Sequence, residues 1–242
     1  MTLVIKRAFD LLISGVGLIA LSPVLVLVAI WIRFDSPGPA LFRQERVGRN
    51  GVAFRIHKFR TMYWNGPQRG LSLTVGDDSR ITRCGRILRR TKLDELPQLL
   101  DVLVGAMSLV GPRPEVPSYV AHWSEDDRRV ILSVRPGITD LASIRFRRES
   151  EVLGQSSDPV NAYLNEIMPE KLRLYREYVE NRSLAFDLQV LFHTALAVLF
   201  HTNHGGARTQ SGRLGAQPEI DAPADRTDET DASVGTKPSS RD

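Results

Sequence analysis

The apolar residues of the chain are concentrated in one long run near the N-terminus. Between Asp10 and Arg33 lie 22 consecutive residues without a charge, which as a straight helix would measure roughly 33 Å. That length matches the hydrocarbon core of a bilayer. The run is longer than the apolar region of a signal peptide, and it lacks an A-x-A-like cleavage site near its end. It therefore predicts a helix that inserts into a membrane.

Two features of this run favour a helix that turns back over one that crosses. Ser22 and Pro23 lie in its middle, where the proline removes a backbone donor and its ring crowds the carbonyl four residues earlier. The serine hydroxyl can bond a freed backbone group. Both flanks are basic, with Lys6 and Arg7 before the run and seven arginines and lysines within residues 33–60 after it. Because positive charge stays on the cytoplasmic side, a re-entrant hairpin accommodates both flanks, whereas a spanning helix accommodates one.

The polar and apolar pattern after this run predicts a mainly helical domain with one small β-hairpin. Two strand-like segments flank Asn50-Gly51, a strong hairpin turn signal. Asp78 or Ser79 is placed to cap a helix carrying an arginine stripe, and apolar helical segments follow. Arginines 80, 83, 86 and 90 form this stripe. The later helical segments are predicted from Glu95 to Val110 and over residues 119–132, 160–180 and 184–200. The last of them is typical of a helix that packs on the core or lies in the membrane interface.

This pattern divides the chain into three predicted parts. Residues 1–34 form the re-entrant membrane helix, residues 35–200 form a cytoplasmic domain, and residues 201–242 form a disordered tail poor in large apolar side chains. The expected fold class is a mainly α monotopic membrane protein with a small β-hairpin and interfacial amphipathic helices; a helix that spans the membrane remains the alternative from the charge pattern alone, and the resemblance described below implies the monotopic form.

Composition narrows the range of partners. The formal net charge of the 242 residues is +4, but residues 201–242 hold five basic and seven acidic residues, so residues 1–200 carry +6. A polyanionic partner is therefore plausible, yet aromatic residues make up only 7% and no nucleic-acid motif interleaves the arginines, which argues against nucleic acid. The single cysteine, Cys84, excludes an internal disulfide and a multi-cysteine metal site.

The candidate chemistry lies at Asp94-Glu95, with Arg89 before the pair and Arg113 after it in a Gly-Pro-Arg-Pro segment. Capping of a helix is the structural alternative for one of the two carboxylates. Transfer of a group between two phosphates accounts for the whole set. Arginines offset the charge of a diphosphate, one carboxylate attacks phosphorus to give an acyl phosphate, and the other holds Mg²⁺.

Long segments of the chain resemble the bacterial sugar transferase family, the small monotopic phosphoglycosyl transferases. The resemblance covers nearly all of residues 5–200. Its segments read KRAFDLL, LSP, IRFDSPGPALFRQERVGRNG, FRIHKFRTM, RITRCGRILRRTKLDELPQL, MSLVGPRPE, RPGIT and YVENRSLAFDL. No multi-span region precedes them as in larger members, so the chain resembles the minimal catalytic form.

The resemblance implies an activity and a set of site residues. Asp94 would attack a UDP-sugar, release UMP and carry the sugar phosphate to polyprenol (undecaprenyl) phosphate, at the cytoplasmic face of the bacterial inner membrane. Glu95, with Asp94, would hold Mg²⁺, and a re-entrant helix would break at Ser22 and Pro23. Substrate-binding positions would be Arg89, Arg113 with its neighbours Pro112 and Pro114, and the strand residues Lys58 and Arg60.

The same resemblance implies partners and leaves several matters open. Membrane lipids, downstream glycosyltransferases and a second copy of the chain are the expected partners. Exopolysaccharide, O-antigen, capsule and glycoconjugate assembly all begin with this step in the family, and the sugar is not fixed. Lys92, Asp140 and Ser143 depart from residues common in relatives. The alternatives are another membrane-anchored nucleotidyl or phospholipid phosphotransferase, and a non-catalytic basic adaptor that binds anionic lipid.

Overall fold

A computed structural model describes residues 3–64, 73–76 and 78–199, and the predicted tail over 201–242 lies outside these residues. The described chain is mainly helical, as predicted, with two separate two-stranded sheets. The elements in chain order are α1 (Leu3–Asp35), β1 (Leu41–Val47), β2 (Ala53–Phe59), α2 (Arg83–Thr91), α3 (Gln98–Leu103), β3 (Ser108–Val110), α4 (Pro117–Val120), α5 (Glu125–Ile131), β4 (Gly137–Thr139), α6 (Leu141–Arg145), α7 (Glu149–Leu153), α8 (Pro159–Ala162), α9 (Met168–Asn181) and α10 (Leu184–Leu199).

Helix α1 contains the predicted apolar run and is helical through Pro23. It is the one helix of the described residues that is long and apolar enough to cross a membrane, and only 11% of its most apolar window is buried. The hydroxyl of Ser22 donates to the carbonyl of Ile19 at 2.8 Å. That carbonyl is the acceptor that the proline nitrogen cannot serve, so the serine compensates for the missing backbone bond. The re-entrant path itself stays a prediction.

Polar side chains fasten the first turns of α1 to the rest of the domain. The buried carboxylate of Asp10 accepts hydrogen bonds from the Ser108 hydroxyl at 2.8 Å and from the Leu109 amide at 3.3 Å. Lys6 donates to the buried carboxylate of Asp187 at 2.6 Å. These bonds join α1 to β3 and to α10, so the start of α1 is held by charged groups as well as by apolar packing.

The predicted β-hairpin is confirmed. Strands β1 and β2 pair antiparallel from Leu41 opposite Phe59 to Val47 opposite Ala53. Asn50 and Gly51 lie in the turn with φ angles of 58° and 77°. This left-handed region is the one that asparagine and glycine tolerate best, which explains why these two residues signal the turn.

The start of α2 differs from the prediction. Neither Asp78 nor Ser79 caps this helix; Thr82 does, and its hydroxyl accepts a hydrogen bond from the Gly85 amide at 2.9 Å. The preceding residues are instead extended, because Ile81 forms a β-bridge with Met62. The arginine stripe is shortened accordingly, since its first member lies before the helix and pairs with the Asp78 carboxylate.

Strands β3 and β4 form a parallel pair that the sequence pattern did not predict. Each strand has only three residues. Gly111 and Pro112 follow β3, and Pro136 precedes the first residue of β4, Gly137, a pattern that is typical of turns. Gly111 and Gly137 allow the close approach, because a Cβ added to Gly137 would lie 2.1 Å from the Gly111 nitrogen. The pair places the Gly-Pro-Arg-Pro segment at the edge of the core.

The predicted C-terminal helices are present with two interruptions. The segment predicted over 119–132 is divided into α4 and α5, because Ser124 starts a new helix by accepting from the Asp127 amide. The segment predicted over 160–180 comprises α8, a π-helical turn at Tyr163–Ile167, and α9. Helix α10 buries Val190 in the core while Leu188 and Phe192 stay exposed.

Candidate active site

The acidic pair lies in a short connection between two helices. Lys92 ends α2 in a left-handed conformation with φ of 59°, and a 3₁₀ turn at Leu93–Glu95 then presents both carboxylates. Asp94 is 1% exposed and Glu95 is 8% exposed. Neither side chain forms a capping hydrogen bond with this turn or with α3. Two adjacent ionisable groups are thus buried without serving the local backbone, which removes the capping explanation.

Asp94 has one oxygen in an ion pair and one without a partner. Its Oδ2 lies 2.8 Å from the Nζ of Lys58, a residue of β2. Its Oδ1 is buried and accepts no hydrogen bond from the described residues. A buried carboxylate oxygen without a donor is unfavourable, by about 1–3 kcal/mol, so such an atom calls for a functional reason. Nucleophilic attack is such a reason, because it requires an oxygen whose lone pairs are not committed to a hydrogen bond.

Glu95 is fully engaged by cations. The Nη2 of Arg113 lies 2.5 Å from Oε1, the Nη1 lies 3.2 Å from Oε2, and the Nζ of Lys58 lies 3.4 Å from Oε1. Burial on its own raises the pKa of Glu95, but the charges of Arg113, Lys58 and Lys92 outweigh it and hold the pKa well below its usual range. The pKa of Arg113 is raised in turn, chiefly by the charge of Glu95.

Lys58 joins the two carboxylates and so determines how they sit relative to each other. It contacts Asp94 and Glu95 with the same ammonium group, which only a central position between them allows. The strand β2 carries it there because the hairpin packs against the turn that holds the acidic pair. The ammonium group of Lys58 is compact, partly exposed and adjacent to the Asp94 carboxylate, so it is suited to bind a phosphate group.

Arg89 lies next to this group without touching the carboxylates. Its Nε donates to the Thr61 hydroxyl at 2.9 Å and its Nη1 to the Thr74 hydroxyl at 3.1 Å. Burial lowers the pKa of Arg89, and the charge of Asp94 opposes that effect, so the two groups interact through space. Thr61 and Thr74 were not predicted from the sequence, because hydroxyls carry no signal until the fold brings them to an arginine.

The structure gives Arg60 contacts away from the acidic pair. Its buried guanidinium donates to the backbone carbonyls of Ile32, Ser36 and Pro37, at the end of α1. Three carbonyls at a helix end are good acceptors for a cation, so this arginine caps the C-terminal end of α1. Among the described contacts of Arg60, none reaches Asp94 or Glu95, and its predicted substrate-binding role stays a prediction.

Pro112 and Pro114 act through their backbone carbonyls. The Pro112 carbonyl accepts from the Gly137 amide at 2.9 Å, and the Pro114 carbonyl accepts from the Arg46 side chain at 3.1 Å. Both bonds fix the segment from either side of Arg113. The structure thus brings together Asp94, Glu95, Lys58 and Arg113, with Arg89 behind them.

Two further residues surround Arg113. Asp140 is buried and accepts from both the amide and the hydroxyl of Ser143, at 2.9 and 2.6 Å. Burial raises the pKa of Asp140, while Ser143 and Arg113 act in the opposite direction. The hydroxyl of Tyr175 is buried with no hydrogen-bond partner among the described residues. Asp140 and Ser143 therefore form a helix cap whose carboxylate acts on the site arginine.

The oxygen ligands that the site offers fit Mg²⁺ in part. No group of three or more metal-ligating side chains occurs in the described part of the chain. Mg²⁺, however, is usually held by one or two carboxylates together with substrate phosphates. Glu95 and Asp94 would supply such carboxylates, together with the phosphates of a bound substrate. The residues present fit a metal that arrives with its substrate.

Comparison with known proteins places the site in the context of the whole chain. The model of the family described as "Bacterial sugar transferase" matches residues 1–201. The exopolysaccharide production protein PSS of Rhizobium leguminosarum bv. phaseoli is 41% identical over 207 residues, which cover 82% of this chain and 97% of that protein.

Two larger relatives carry more specific names. The UDP-glucose:undecaprenyl-phosphate glucose-1-phosphate transferase of Escherichia coli K12 is 37% identical over 197 residues, covering 78% of this chain and 39% of that protein. An Aeromonas hydrophila protein named as the UDP-N-acetylgalactosamine counterpart is 34% identical, covering 81% of this chain and 44% of its own length. The chain thus spans less than half of these two proteins. With the match over residues 1–201, the chain belongs to the bacterial sugar transferase family.

Proposed function

We propose that this chain transfers a sugar-1-phosphate from a UDP-sugar to undecaprenyl phosphate or a similar polyprenol phosphate, with release of UMP. The observation that carries the proposal is the buried Asp94, whose Oδ1 is free while Lys58 holds its Oδ2. The names of the relatives support the substrates, because two of them act on a UDP-sugar and undecaprenyl phosphate. The proposal rests on this geometry and on family membership together.

The first step is attack by Asp94 Oδ1 on the phosphorus that carries the sugar. A new bond forms between that oxygen and phosphorus, and the bond from this phosphorus to the bridging oxygen of UMP breaks, so UMP leaves with the electron pair. The approach of a diphosphate to a carboxylate is opposed by charge. Lys58 and Arg113, which lie at the carboxylates, and Arg89 behind them offset that charge.

The second step returns Asp94 to its starting state. An oxygen of polyprenol phosphate attacks the same phosphorus, and the bond to the aspartyl oxygen breaks, giving the polyprenol diphosphate sugar and a free carboxylate. Glu95 keeps Arg113 and Lys58 in place between the two steps. When bound, Mg²⁺ would supply further charge compensation on the phosphates, held by Glu95 and Asp94 with the substrate.

The activity is tested with purified chain, polyprenol phosphate and a panel of UDP-sugars, with UMP as the product measured. We expect UMP from at least one UDP-sugar, and we expect chelation of Mg²⁺ with EDTA to abolish it and added Mg²⁺ to restore it. The non-catalytic adaptor hypothesis predicts binding to anionic vesicles without UMP from any donor. Turnover that persists in EDTA would contradict the metal assignment but leave the transfer reaction standing.

We also propose that α1 is re-entrant, with both ends at the cytoplasmic face of the bacterial inner membrane. The native thiol does not disturb a cysteine-labelling test, because Cys84 is buried and burial raises its pKa to about 11. New cysteines are introduced at the exposed positions Val4 and Phe34, and at Arg129 as a marker of the domain.

An impermeant maleimide is expected to label none of the three cysteines in intact cells and all three after permeabilisation. Labelling at Val4→Cys but not at Phe34→Cys in intact cells, or the reverse, would show that α1 crosses the membrane. The Arg129→Cys marker establishes which pattern belongs to the face that carries the domain.

A further inference from the structure

A second cluster of cations lies apart from the acidic pair, around a cavity of about 70 Å³ at the start of α1. The cavity is larger than the space of a single water and can take a phosphate group. None of its lining residues belongs to the group formed by Asp94, Glu95, Lys58 and Arg113. Its charged lining side chains are Lys6, Arg7, Asp10, Arg49, Arg135 and Arg182, which we call the basic pocket.

The positive charge of the basic pocket is only partly neutralised. Lys6 uses both nearby carboxylates, at 2.6 Å from Asp187 and 3.8 Å from Asp10. Among the described residues, Arg49, Arg135 and Arg182 form no ion pair at all, although each lines the same cavity. The pocket thus holds five cations and one carboxylate, Asp10, and the excess of like charge favours binding of an anion.

Arg135 and Arg49 are each held by one hydrogen bond from Nε, which leaves their terminal N–H donors free. Arg135 uses its Nε on the Gly105 carbonyl at 2.9 Å, and Arg49 uses its Nε on the Ser133 carbonyl at 3.2 Å. Their terminal nitrogens have no hydrogen bond to the described residues. Burial lowers the pKa of Arg135, the charges of Arg7 and Arg49 lower it further, and the charge of Asp10 opposes them.

The surroundings of the basic pocket indicate an anion with an apolar tail. The first turn of α1 exposes Val4 and Ile5 at 74% and 54%, immediately before the lining residues. Val104 is 76% exposed and follows Leu103, whose carbonyl accepts a hydrogen bond from Arg7. Apolar side chains exposed to this degree beside cations are typical of surfaces at the level of lipid headgroups.

We infer that the basic pocket binds the phosphate group of an anionic phospholipid, with the acyl chains lying along the exposed apolar side of α1. The guanidinium groups of Arg49, Arg135 and Arg182 would contact the phosphate oxygens, because a fork of N–H donors matches that geometry. Such a lipid would neutralise the cations and hold the first turn of α1 at the headgroup level. The inference does not depend on the proposed transferase activity.

The test uses the full chain in a neutral detergent, with thermal unfolding followed as short-chain lipid is added. Dioctanoyl phosphatidylglycerol is expected to raise the unfolding temperature, whereas dioctanoyl phosphatidylcholine and inorganic phosphate at equal concentration are not. In Arg49→Gln/Arg182→Gln, the concentration giving half of the shift is expected to rise by about tenfold or more, because a neutral glutamine cannot replace the charged hydrogen bonds from arginine to phosphate.

Arg182 makes no hydrogen bond or ion pair with the described residues, so its removal is expected to leave folding intact. The matched control is Arg129→Gln/Arg148→Gln, which removes the same charge at exposed positions outside the pocket. If the control weakens the shift as much as the pocket variant does, general attraction of charge explains the binding and the pocket is excluded.

Three other results would also overturn the inference. If inorganic phosphate raises the unfolding temperature as much as phosphatidylglycerol does, and the pocket variant weakens that effect, the pocket is a site for free anions rather than for lipid. If a short-chain polyprenol phosphate raises the unfolding temperature more than phosphatidylglycerol does, and the pocket variant weakens that effect, the pocket binds the acceptor substrate instead. No shift with phosphatidylglycerol in the unmodified chain would exclude the lipid.

Discussion

Replacing Asp94 with asparagine is expected to reduce UMP release by on the order of 10⁴-fold or more, because an amide cannot form the acyl phosphate. The change is close to isosteric, and it removes no hydrogen bond at Oδ1, which has none. Lys58 retains Glu95 as a partner at 3.4 Å. The loss is measured as the rate of UMP formation, together with the radiolabelled sugar phosphate attached to the protein when polyprenol phosphate is omitted.

A matched control shows whether the loss of UMP release in Asp94→Asn comes from the missing nucleophile or from a disturbed fold. Asp101 is also buried, but its carboxylate binds the amide and ring of His57 rather than any residue of the active site. Asp101→Asn is expected to release UMP at a rate similar to that of the unmodified chain per folded molecule. If Asp94→Asn still accumulates labelled protein, another residue is the nucleophile.

Replacing Arg113 with methionine is the second change for which a large effect is expected. It removes both hydrogen bonds from the guanidinium to Glu95 and leaves that buried carboxylate one ion pair among the described residues, with Lys58 at 3.4 Å, beside the more distant charge of Lys92. Loss of one partner of a buried ion pair is expected to lower the free energy of unfolding by about 3 kcal/mol. Loss of a cation at the phosphate site is expected to reduce kcat/KM by about 10²–10³-fold.

The two effects are separated by a second variant. Arg113→Lys keeps the charge but not the two-pronged donor geometry, so it is expected to recover most of the stability and only part of the activity. Stability is followed by thermal unfolding, and activity by UMP release over a range of UDP-sugar concentrations. Full activity of Arg113→Met at a temperature where it is folded would remove this residue from substrate binding.

Local signals in the sequence predicted the elements whose cause is itself local. The turn of the hairpin follows from Asn50 and Gly51, whose conformations are left-handed, and the long apolar run became α1. The acidic pair stood out because it lies among arginines. Each of these features depends on residues close together in the chain, which is the range over which propensity and pattern operate.

The features that were missed depend on contacts between distant segments. The extended path before α2 is caused by a bridge between Met62 and Ile81, and the short strands β3 and β4 exist only because two glycines meet. The contacts of Arg60 and Lys58 were likewise not predictable from the sequence, because each depends on a distant segment. Arg60 binds carbonyls at the end of α1, whereas Lys58, two residues earlier, binds the carboxylates of Asp94 and Glu95.

The contacts of Arg60 and Lys58 connect the end of α1 to the carboxylate of Asp94 through very little chain. Arg60 binds the carbonyls at the end of α1, and Lys58, two residues earlier in an extended segment, binds Asp94. Two extended residues span only about 7 Å. One strand of the hairpin therefore holds the end of α1 and the carboxylate of Asp94 close together through two of its neighbouring side chains.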